Sequence, residues 1–113
     1  MADSLKTFTD LSSILRKNAK GMRFKRDEPD CLYIESNKLD KKGKPKFFGA
    51  VQVKKSYVAY HLMPIYEHPE LLNGISDALR EHMQGKSCFN FSVSDKALFV
   101  ELDRLTAKSA TLS

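Results

Sequence analysis

The chain has 113 residues, of which 42% are hydrophobic and 29% charged, the balance of one globular domain with a single core and no room for a second. Its longest apolar run, near Phe47-Phe48-Gly49-Ala50-Val51, is far too short to span a membrane, and two cysteines are too few for a disulfide scaffold. The net charge of +5 is blocky: residues 1–26 hold seven Lys or Arg against two Asp, residues 27–37 four acids and no base, and residues 38–55 seven Lys against one Asp.

In chain order, Leu5, Phe8, Leu11, Ile14 and Leu15 recur at the 3.6-residue period and predict an amphipathic helix over 4–18. Asp3 or Ser4 is placed to cap its start, and Gly21 lies past its basic end. The leader MADSLKTF has no apolar core of an export signal, so Cys31 and Cys88 are expected to be thiols in the cytoplasm. MRFKRD at 22–27 reads as a short strand or extended connector, and CLYIES at 31–36 as a strand. NKLDKKGKP at 37–45 reads as a long loop with solvated lysines. Strands follow at 46–54 and 57–63, joined tightly through Lys55-Ser56. Leu71, Leu72, Ile75, Leu79 and Met83 sit at helical spacing between Pro69 and Gly85, with Ser76 positioned to cap a segment over 77–84. A strand over 87–92 and a helix over 95–108, capped by Ser94, complete the chain. That order predicts a single α+β domain over 1–113. It is a mainly antiparallel sheet with the terminal helices covering one face.

Gly85-Lys86-Ser87 invites comparison with a nucleotide phosphate loop. Such a loop needs a first glycine at position 80, which is Arg80, and must run from strand into helix, the reverse of the predicted order. Gly85 is expected instead to end a helix. Glu67, His68 and Glu70 surround Pro69 without metal-ligand spacing, and neither cysteine stands in a nucleophile signature. His61 with Cys88 is the one pair that an enzyme could use, and no catalytic residue is assigned. The loop lysines and Lys54-Lys55 lie at opposite ends of strand 46–54, roughly 30 Å apart at about 3.3 Å per residue. One continuous nucleic-acid patch is therefore not expected, and weak nucleic-acid binding is an alternative only.

Alternation assigns the sheet faces. Leu32, Ile34, Val58, Tyr60, Leu62, Phe89 and Phe91 belong under the helices. Cys31, Tyr33, Glu35, Tyr57, Ala59, His61, Met63, Cys88 and Asn90 belong to the other face, unless a bulge at Gly49 disturbs the order. A surface mixing tyrosine, histidine, amide and thiol suits a small ligand or a partner protein. The candidate binding residues are His61, Tyr57, Tyr33 and Asn90, with Lys86 at the corner. Histidine and lysine there would take a small anion or an acidic partner. No cofactor is expected, and the protein would be a monomer or homodimer.

YHLMPIYEHPELLNGISDALREHMQGKSCFNF, residues 60–91, resembles the YdhG-like family of small bacterial domains. The resemblance rests on Tyr60-His61, the Pro64 bend, the helix before Gly85-Lys86 and the strand Cys88-Phe89-Asn90-Phe91. It extends over about 57–105. It implies a small α/β sandwich, for most members without an assigned function, and in one branch a frataxin-like iron chaperone for iron–sulfur assembly. In that alternative the acidic cluster Asp27, Glu28 and Asp30 would bind iron, together with Glu67 and His68. Frataxin-type delivery uses carboxylates on a first helix, and this one holds only Asp3 and Asp10.

Overall fold

A computed structural model describes residues 2–112. Helix α1 (Ala2–Lys17) leads into strands β1 (Arg23–Glu28), β2 (Cys31–Leu39), β3 (Pro45–Val53) and β4 (Val58–Leu62). A short helix α2 (Met63–Glu67), a 3₁₀ turn (Pro69–Leu72) and the one-turn α3 (Asp77–Arg80) then connect to β5 (Met83–Gln84), β6 (Cys88–Phe91) and α4 (Lys96–Thr111). The strands form one antiparallel sheet in the order β1-β2-β3-β4-β6-β5, so the α+β architecture is as the sequence predicts. The radius of gyration, 13.2 Å, matches the roughly 13 Å of one compact unit of this length.

The core lies between one sheet face and the two long helices. Phe8, Leu11, Leu15 and Ala19 from the α1 segment and Leu98, Phe99, Leu102 and Leu105 of α4 are buried against Leu32, Ile34, Val51, Tyr60, Leu62 and Phe89. Leu5, a member of the predicted stripe, is instead exposed. One polar bond crosses this apolar layer. The Thr106 hydroxyl donates to the Leu102 carbonyl at 2.8 Å, so at 2.7 Å it accepts the phenol proton of Tyr60. That bond pins the middle of the sheet to α4. At the helix ends Asp103 accepts from Asn18 Nδ2 at 2.8 Å and pairs with Lys17, while Ser94 donates to Asp10 at 2.7 Å.

Several local expectations change. The 37–45 segment is not a long loop: β2 runs to Leu39, and Asp40 closes a tight hairpin by accepting from the amides of Lys42 and Lys44. The helix expected over 77–84 stops at Arg80, after a start capped as foreseen by Ser76, whose hydroxyl accepts from the Leu79 amide. Met83 and Gln84 then pair with β6, so Gly85, at φ +79°, turns a strand pair instead of ending a helix. Asp95, not Ser94, caps α4. At the N-terminus α1 already includes residue 2, so Ser4 lies inside it, and the Asp3 side chain is outside the described residues.

Candidate functional site

The face away from the helices is open, and strand register puts its residues in rows. Tyr33, Ala50, His61, Cys88 and Gln84 are successive cross-strand partners from β2 to β5. The neighbouring row is Cys31, Gln52, Ala59 and Asn90. Ala50 and Ala59, on the two central strands, therefore leave a hollow among larger neighbours. That contour makes a cleft of about 330 Å³, floored by Ala50 and Ala59 and walled by Tyr33, Phe47, Tyr57 and His61. Of the five residues singled out from sequence, four (Tyr33, Tyr57, His61 and Asn90) line this one cleft.

Lys86 does not. It lines an adjoining cleft of about 340 Å³ with Met63, Tyr66 and Ser87, and its ammonium lies 5.8 Å from the centre of the Tyr66 ring. His61, Gln84 and Cys88 border both clefts.

Phe47 is a cleft residue absent from those that alternation assigns to this face. Between Ile34 and Glu35 the partner on β3 jumps from Gly49 to Phe47, a bulge that leaves Phe48 as the extra residue. Phe48 is fully buried in the core, and Phe47 turns to the open face. There it stacks on Tyr33, ring centres 4.6 Å apart, and meets His61 nearly at right angles at 5.1 Å. The signal was the glycine. A Cβ on Gly49 would lie 2.8 Å from the His61 carbonyl oxygen and 3.0 Å from Leu15 Cδ1, so only glycine lets β3, β4 and α1 approach this closely.

The electrostatics are cationic at the margins and neutral in the middle. Burial lowers the His61 pKa below 6.5, and its Nε2 lies 2.8 Å from the Ser87 hydroxyl. Burial pushes the Cys88 thiol up, and its Sγ donates to Asn90 Oδ1 at 3.7 Å. A protonated thiol facing an amide and an imidazole engaged with serine do not make an activated nucleophile pair. Lys25 stands over the Tyr33 ring at 5.7 Å and 3.7 Å from Glu35, which Arg23 also approaches. Lys54, beside Tyr57, also lines the cleft; in the sequence it reads only as a strand-end charge.

The acidic cluster does not converge. Asp27 and Glu28 are consecutive in β1 and point to opposite faces. Arg16 donates to Asp27 at 2.9 Å and through a second guanidinium nitrogen, holding that carboxyl below its ordinary pKa, while Glu28 lies 3.9 Å from Arg26. Glu67 pairs with Lys46 at 2.7 Å and His68 with Glu70 at 3.5 Å. Among the described residues no three His, Cys, Asp or Glu side chains are placed to hold a metal ion, and no helix is long and apolar enough to cross a membrane. No protein-family model, curated protein or solved structure gives a significant match to this chain.

Proposed function

We propose that this chain is a YdhG-like, non-catalytic binding domain that takes a small anionic ligand in the cleft on its open sheet face. The observation that carries the reading is the convergence of Tyr33, Phe47, Tyr57, His61 and Lys54 around a floor of two alanines. The floor gives concavity, the rings give apolar contact, and the lysine gives the charge preference. A concave face of this size suits a small molecule better than a flat protein partner.

The same geometry disfavours a nucleic-acid strand. Tyr33 has one ring face on Phe47 and the other beneath Lys25, so it offers no free face for a base to stack on. The iron alternative is the weaker reading, because Asp27 is paired with Arg16 and among the described residues no three His, Cys, Asp or Glu side chains are placed to hold a metal ion. The test is a ¹H–¹⁵N NMR titration with phenyl phosphate, an anion carrying one planar apolar ring. Saturable shifts are expected at Ala50, His61, Cys88 and Asn90, several-fold weakened by Lys54→Ala and by Phe47→Ala. Shifts that never saturate, or that gather at the 40–44 hairpin lysines, would overturn the assignment.

A further inference from the structure

Resting on that reading, we infer that the ligand is an elongated dianion: two anionic groups joined by an apolar chain, lying along β4 from Lys54 to Lys86. The two clefts are one trough. They share His61, Gln84 and Cys88 at the waist, and each carries one of the two lysines at its far end. The strand ladder fixes the direction. The Lys54 amide bonds the Tyr57 carbonyl at 2.8 Å, and the Ser87 carbonyl, next to Lys86, accepts from the Leu62 amide at 3.0 Å. The lysines therefore flank the strand from position 57 to position 62, roughly 17 Å at about 3.3 Å per residue.

Their charges are free for a ligand. Lys25 and Lys46 both have acidic partners, whereas among the described residues neither Lys54 nor Lys86 lies in an ion pair. The trough between them carries no cation to bind a third anionic group. Ala50, Ala59, Met63 and the protonated Cys88 are uncharged, and His61 is held neutral by burial. An apolar segment would be accepted there and a charged one left without a partner. Tyr66 under Lys86 and Tyr57 beside Lys54 bracket the two ends.

Calorimetric titration with a chain-length series tests this. The probes are succinate, octanedioate and dodecanedioate, with the monoacid dodecanoate as control. Affinity is expected to rise with length, dodecanedioate binding about tenfold tighter than dodecanoate, the factor of one added hydrogen bond between charged groups. Lys54→Ala and Lys86→Ala, both exposed changes whose melting curves verify folding, should each reduce dodecanedioate to the affinity of the monoacid. Equal affinity of diacid and monoacid, or of succinate and dodecanedioate, would overturn the two-ended ligand. If phenyl phosphate still binds in that case, the anion cleft stands and only its extension fails. If no anion binds, both fall.

Discussion

The same strands make both faces of the sheet from alternate residues, and the two faces obey different rules. Toward the helices, Tyr60, Phe89 and Leu62 are fully buried and chosen for volume. Toward the outside, their immediate neighbours His61, Cys88 and Asn90 are half-buried. There alanines at two central positions leave a hollow among larger residues, a choice of contour over volume. The lesson is that a covered face is filled and an uncovered one is shaped.

The largest test of this contrast is Phe89→Ala, which opens a cavity on the filled side and should cost about 3–5 kcal/mol in urea unfolding. Gly49→Ala comes next, at about 1–3 kcal/mol, because the new methyl group meets the His61 carbonyl and Leu15. Tyr60→Phe should cost about 1 kcal/mol by removing the bond to Thr106, without changing the sheet's far-UV signature. Asn90→Ala, one residue from Phe89 but on the shaped side, should move stability by no more than about 0.5 kcal/mol while weakening anion binding. Equal losses at 89 and 90 would break the comparison.

The smallest effect is a slope. With the His61 pKa held below 6.5 in the fold, the unfolded chain binds more protons just beneath that pH. The histidine's contribution is whole above pH 6.5 and is lost as pH falls through the window down to the folded value. Urea midpoints measured across that range should fall for the wild type and flatten for His61→Gln. Asp27, held below 3.8 by Arg16, loses its contribution only in more acid solution.

Alternation made the two faces legible in advance, because Leu32, Ile34, Tyr60 and Phe89 carry a period of two that no other structure would bury. Four cleft residues followed from that parity alone. What stayed hidden depended on long-range pairing. Met83 fits a helical stripe and a strand equally well, and only its pairing with Phe89 decides for the strand. Lys54 and Lys86 are set on adjoining clefts by a ladder whose strand order the sequence does not state. Phe47 was lost to a single extra residue that alternation cannot count.

That extra residue gives the molecule an unusual point of fragility. Phe47 and Phe48 are adjacent and chemically identical, and the bulge before Gly49 decides which of the two faces the core. A codon deletion that removed either phenylalanine would leave the same protein sequence. Regular alternation would resume, and the surviving ring, now immediately before Gly49, would take the open face opposite Glu35. The cleft would keep its wall and the core would lose the buried Phe48 ring, so one indel strikes the architecture and spares the contour of the open face.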